Sequence, residues 1–229
     1  MNFKEIWLEK GEYFDNETIK DTICIHHTAG GHRPDWTVSG WNADRTSGGS
    51  RIRVATHFVI GGISVSDNNS DFDGVIVKCM NEKHWAHHLG IKSYNNTHLN
   101  QKTIGIEICN YGQLTKSRDG EYFNYVNKKI SSDQVVDLEY EFKGYRYYHK
   151  YTAKQIQALK ELLIYLGKEH GIDLKKGLQE RILAKDANPF DLNKDALSGA
   201  KGIWNHTSYR KDKFDMSPQP ELLKMLCEL

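Results

Sequence analysis

The chain carries almost no net charge: 31 lysines and arginines stand against 30 aspartates and glutamates in 229 residues. That balance argues against a polyanion binder held by bulk charge, so no nucleic-acid partner is expected. Cysteine is scarce. Cys24, Cys79, Cys109 and Cys227 show neither paired zinc-finger spacing nor a dense disulfide framework. No stretch is long and apolar enough to span a bilayer, and the first ten residues lack an apolar core of secretory length. The expectation is a chain made in the cytoplasm, not inserted in a membrane, that stays there unless something else delivers it. Asn-x-Ser/Thr matches such as Asn95-Asn96-Thr97 are then accidental. Internal repeats and low-complexity segments are missing too, and the length suits one domain over 1–229.

Histidine, by contrast, is plentiful, and two distant fragments matter most. Ile-Cys-Ile-His26-His27-Thr-Ala-Gly lies near the start, and His206-Thr-Ser-Tyr-Arg-Lys-Asp212-Lys213-Phe-Asp215 near the end. Two imidazoles and one carboxylate are a donor set suited to a hydrolytic zinc site whose fourth position stays open to water. On spacing alone, Asp212 and Asp215 are both candidates for the carboxylate. Between these fragments, Thr-Ile-Gly-Ile-Glu107-Ile embeds one acid in an apolar strand. Desolvation there should raise its proton affinity, which suits a general base near neutral pH. Lys213 is either a surface charge or a partner for a developing oxyanion. Cys24, which shares a face with His26, could approach the metal and Cys227 could also bind it, but both read best as buried, inert side chains.

The pattern along the chain is mixed α/β. Ile23–His27, Val54–Gly61, Gly74–Cys79 and Thr103–Cys109 read as strands, with turn signals at Gly61-Gly62 and Asp73-Gly74. A helix opens at the capping box Thr152-x-x-Gln155, carries Ile156, Leu159, Leu163 and Leu166 on one stripe, and ends at Gly171. Pro220 opens a last helix. The tyrosine-rich stretch 121–150, centred on Phe142-Lys-Gly-Tyr145, reads as a hairpin excursion within about 113–150, and 32–53 as a mobile basic loop. Asn69-x-Asp71-x-Asp73-Gly74 imitates a calcium loop, but Met80 stands where the closing glutamate belongs, so it is an acidic turn. Strand parity puts Ile23 and Ile25 on one face with Cys24 and His26 on the other. The same rule sets Thr103, Gly105 and Glu107 opposite Ile104, Ile106 and Ile108. If both strands pack their isoleucines inward in one sheet, His26 and Glu107 emerge together, with Gly105 leaving room for a ligand.

Five stretches, taken in order, resemble the zinc-dependent N-acetylmuramoyl-L-alanine amidases, which include phage amidase-type lysozymes, wall-recycling amidases and peptidoglycan recognition proteins. They are Ile-His26-His27-Thr-Ala, Thr56-His57-Phe-Val-Ile-Gly, Trp85-Ala-His87-His88-Leu-Gly90, Asn96…Thr103-Ile-Gly-Ile-Glu107-Ile-Cys-Asn110-Tyr-Gly, and His206…Lys213-Phe-Asp215-Met-Ser-Pro218. The resemblance implies a mixed central sheet flanked by helices, with a Zn2+ site in a groove on one face. It further implies His26, His206 and Asp215 as metal ligands, Asp215 being chosen over Asp212 because the family places lysine two residues before the last ligand. Glu107 matches the catalytic acid and Lys213 the residue that steadies the tetrahedral intermediate. His88, Trp85, Thr56 and Asn110 fall at substrate-binding positions. Three departures stand out. Thr56 replaces a tyrosine found in some members, Asp215-Met-Ser-Pro218 replaces Asp-Pro-Gly-Pro, and segments 113–150 and 172–203 are longer than the minimal domain.

The implied activity is hydrolysis of the amide between N-acetylmuramic acid and L-alanine of peptidoglycan. The expected form is an endolysin-like, monomeric, single catalytic domain without a separate wall-binding domain, reaching the wall through holin-type membrane holes. A non-catalytic peptidoglycan-binding module and a cytosolic muropeptide-recycling amidase are the alternatives.

Overall fold

The computed structural model describes residues 1–93 and 95–229. The chain opens with β1 (Lys4–Glu5), β2 (Thr22–His27), α1 (Pro34–Ala43), β3 (Phe58–Ile60), β4 (Ile76–Lys78), α2 (Asn96–Lys102) and β5 (Thr103–Ile108). An insertion follows, containing β6 (Gln113–Lys116), β7 (Tyr122–Phe123), β8 (Lys129–Ile130), β9 (Val135–Phe142) and β10 (Tyr145–His149). The remainder is α3 (Ala153–His170), α4 (Leu178–Leu183), α5 (Lys194–Ser198), β11 (Gly202–Asn205), α6 (His206–Tyr209) and α7 (Pro220–Cys227).

Six strands form the central mixed sheet in the order β1-β4-β3-β5-β2-β11. Only β3 and β4 run antiparallel to each other; the other neighbouring pairs are parallel. All six residues of β2 are buried, because layers of side chains cover the sheet on both faces. On one face Ile23, Ile25, Ile104, Ile106 and Ile108 pack with Leu159, Leu163 and Leu166 of α3 and with Leu222 and Leu226 of α7. On the other, Cys24 joins Leu89, Leu99, Trp204 and Tyr209. The isoleucine parity read from the sequence is therefore the parity of the fold. Helix α3 begins as expected: Thr152 Oγ1 accepts from Gln155 N at 3.0 Å, the Thr152 amide donates to Gln155 Oε1 at 3.1 Å, and Gly171 closes the helix at φ +66.

Other expectations need correction. The proposed second strand shrinks to Phe58–Ile60, because Arg53 turns the chain at φ +58 and Ala55 bonds instead to the His87 carbonyl. The third shrinks to Ile76–Lys78. Segment 32–53 is not a free basic loop. Pro34 opens α1, and Arg45 and Arg51 then converge on the buried carboxylate of Glu12, a partner invisible to local sequence. The excursion is larger than one hairpin. A hairpin does turn at Lys143-Gly144, where both φ angles are positive. Its strand β10 also pairs with β6, however, giving a five-stranded antiparallel sheet in the order β8-β7-β6-β10-β9. Among the described residues, no helix is long and apolar enough to cross a membrane.

Candidate active site

The site grows from the C-terminal ends of three adjacent parallel strands. In register, His26 of β2 lies beside Glu107 of β5, while β11 on the other side of β2 ends at Asn205. Asn205 caps α6 by accepting from Ser208 N at 3.1 Å, so His206 emerges in the first turn beside His26, with ring centroids 4.4 Å apart. Asp215 returns to this point because its carbonyl accepts from Thr207 N at 3.1 Å. The Oδ2 atom of Asp215 lies 2.9 Å from His206 Nδ1 and 3.3 Å from His26 Nδ1. All three side chains are buried. Their donor atoms lie within 4.8 Å of one another.

The distal ring nitrogens are already committed. His206 Nε2 faces the Leu89 carbonyl at 3.0 Å, which fixes the ring so that Nδ1 is the atom turned to Asp215. His26 Nε2 meets His88 Nδ1 at 3.0 Å. Burial, reinforced by the neighbouring His206, pushes His26 down to about 4, so near neutral pH its ring is uncharged and can act as a ligand. Burial acts to raise Asp215, but His206 and hydrogen bonds from both histidines more than reverse this and hold it well below the usual carboxylate range. Two imidazole nitrogens and one carboxylate oxygen drawn this close are a donor set that a divalent cation fits once the nitrogens give up their protons. Cys24, His26 and His88 form a second close group sharing His26. There burial holds the Cys24 thiol well above its ordinary value, in its protonated form.

Glu107 faces this group under different conditions. Its Oε2 is buried and has no hydrogen-bond partner among the described residues. Burial, with Asp215 adding to it and Lys213 opposing it, pushes the carboxyl well above the ordinary glutamate range. No ion-pair partner offsets that desolvation within hydrogen-bonding distance of Oε2 among the described residues. Lys213 borders the same cavity, of about 360 Å³, as do His26, Glu107, His206, Asp215, Thr56 and His88. A larger cavity of about 770 Å³ lies beside the start of β2 and β11, and among the described residues it has no such donor set.

The two aspartates separate clearly. Asp212 is exposed and paired with Arg210 at 2.5 Å, whereas Asp215 is buried among the histidines. Not every expected residue reaches the cavity. Trp85 is 4% exposed, stacks on Phe14 with centroids 3.9 Å apart, and donates to Asn16 Oδ1 at 2.9 Å; it braces the fold instead. Asn110 is fully buried, donating to the His149 carbonyl at 3.0 Å and accepting from Gly112 N at 2.7 Å, which fixes the root of the insertion. Thr56 reaches the cavity but spends its hydroxyl on the Phe58 carbonyl at 3.0 Å. Gly105 makes room for protein rather than ligand: an added Cβ would meet Thr56 Cγ2 at 2.8 Å and His88 Cγ at 3.1 Å. Trp41, Gln113 and Phe214 also border the cavity. They come from α1, the insertion and the last loop, and carry no motif that could have marked them.

The family model described as N-acetylmuramoyl-L-alanine amidase matches residues 15–212. The chain belongs to this family. The match includes His26, His88, Glu107 and His206 and stops just short of Lys213 and Asp215. Among solved structures, the amidase resembles a crystal structure of an AmpD derivative at 16% identity and TM-score 0.52, over 98% of this chain and 93% of that one. At that identity the likeness is one of fold, and it is the mixed sheet with flanking helices described above. PlyL matches at 12% identity and TM-score 0.49, over 100% of this chain and 91% of that one. The Escherichia coli N-acetylmuramyl-L-alanine amidase AmiD, solved as a complex with its substrate, matches at 22% identity and TM-score 0.40, over 69% of this chain and 46% of that one. No curated protein matches the sequence.

Proposed function

We propose that this amidase is a zinc enzyme in which His26, His206 and Asp215 hold the metal, Glu107 moves the proton and Lys213 steadies negative charge. The carrying observation is the convergence of His26 Nδ1 and His206 Nδ1 on one Asp215 oxygen, at 3.3 and 2.9 Å. The bond cleaved is the amide between the N-acetylmuramic lactyl group and L-alanine. A zinc ion in this donor set supplies Lewis acidity, acidifying water and polarising the scissile carbonyl. Glu107 takes the proton of the attacking water at a carboxylate oxygen and returns it to the departing amine. The Lys213 ammonium sits beside the carbonyl oxygen as that oxygen gains charge. His88 orients His26 through their 3.0 Å contact and borders the substrate with Thr56.

The catalytic domain acts as a monomer on the intact wall, released through holin-type membrane holes in the manner of a phage lysin. Aromatic surface outside the cavity supports a polymeric substrate: Trp36, 63% exposed, stands on the same helix as the cavity residue Trp41. The test compares purified sacculi with soluble anhydro-muropeptides, with mass spectrometry of the released stem peptides. Cleavage of both, faster on sacculi and abolished by chelation, is expected. Binding without release would make the chain a recognition module, and preference for the soluble fragments would make it a recycling enzyme.

A further inference from the structure

The turn carrying Asp215 has Met216 and Ser217 where the family resemblance implies Pro-Gly, and keeps only Pro218, so other contacts must help to hold it. Tyr151 stands where the chain leaves β10 and enters α3, and it is completely buried. Its hydroxyl accepts from Ser217 N at 3.3 Å and lies 2.8 Å from His27 Nδ1. Its backbone is held as well: the Tyr151 amide donates to Gln219 Oε1 at 2.8 Å, and Gln219 Nε2 donates to the Tyr151 carbonyl at 3.1 Å. Gln219 is itself fully buried, and its amide donates to the Ser217 carbonyl at 2.9 Å. One residue thus clamps the segment two to four positions after Asp215 and ties it to the residue after His26. Buried hydrogen bonds of this kind leave no alternative partners, so the turn has one resting place.

We propose that Tyr151, with Gln219, is a positioning residue that sets the Asp215 carboxylate against His26 and His206 and so tunes metal affinity. This inference rests on the zinc-ligand reading of Asp215. It also links the site to the insertion, whose last strand leads directly into Tyr151.

The test measures zinc affinity by competition with a chromophoric chelator for wild type, Tyr151→Phe, Gln219→Ala and the control Tyr148→Phe. Tyr148 is equally buried, but its hydroxyl donates to the Phe142 carbonyl within the insertion and does not touch the turn. Removing a group that orients a metal ligand typically weakens binding about 10- to 100-fold. A loss in that range is expected for Tyr151→Phe and Gln219→Ala, with Tyr148→Phe binding as wild type even where its melting temperature falls. Gln219→Ala carries the test if Tyr151→Phe does not fold. Affinities within twofold of wild type for the folded Tyr151 and Gln219 variants, or an equal loss in Tyr148→Phe, overturn the inference. A wild-type protein that binds no zinc overturns the ligand reading beneath it instead.

Discussion

Two carboxylates with oxygens shut away from solvent meet opposite fates in this molecule. Glu82 sits 2.7 Å from Lys78 Nζ, 2.9 Å from His170 Nε2 and 3.2 Å from the Tyr165 hydroxyl. Burial acts to raise it, but His170 and Lys78 more than reverse that and bring it down to about 2. Glu107 is half-buried with its Oε2 desolvated, has a like-charged neighbour and no hydrogen-bond partner on that oxygen among the described residues, and is pushed up. The first arrangement ties β4 to α3 and has nothing left to offer a substrate. The second keeps a proton-accepting oxygen free at the cost of desolvation, as expected of a group whose proton must move. Burial alone therefore says little about the role of an acid; the surrounding donors decide it.

The comparison breaks most sharply at Glu107. Glu107→Gln should lower kcat roughly 100- to 10,000-fold, the usual worth of a general acid–base group. The protein should still bind zinc and keep or gain stability, since a charged group is no longer buried. Stem-peptide release by mass spectrometry, with metal content alongside, measures both, and near-normal turnover would remove Glu107 from the mechanism. Next in size is Lys213→Ala, expected to cost about 3 kcal/mol in kcat with little change in melting temperature.

Glu82 should answer in the opposite currency. Glu82→Gln should leave kcat unchanged and cost on the order of 2 kcal/mol of stability near neutral pH. The sign follows from the lowered value: the stabilisation is complete above the unfolded glutamate pKa of about 4.3. It fades as pH falls toward the folded value of about 2. Urea midpoints of wild type and variant should therefore converge across that interval. A difference that stays constant or widens on acidification would contradict the assignment.

The site was legible in the sequence where chemistry follows local order, and obscure where it depends on distant partners. Alternation alone places His26 and Glu107 on the same side, and their register pairing realises it. The capping box at Thr152 is equally local and equally clear. Trp85 misleads because its partners Phe14 and Asn16 lie some seventy residues earlier in the chain. Arg45 and Arg51 of segment 32–53 look free for the same reason, since Glu9 and Glu12 that bind them belong to the opening stretch. Strands as short as Tyr122–Phe123 and Lys129–Ile130 show no periodicity, so the insertion reads as one hairpin when it is a small sheet.

The position of β11 at the edge of the central sheet has a temporal corollary. His206 and Asp215 reach His26 only once that last strand has docked against β2. While the ribosome is still adding those residues, the nascent polypeptide holds just one of the three converging donors. The full donor set can therefore assemble only after residue 215 has been added and β11 has paired with β2.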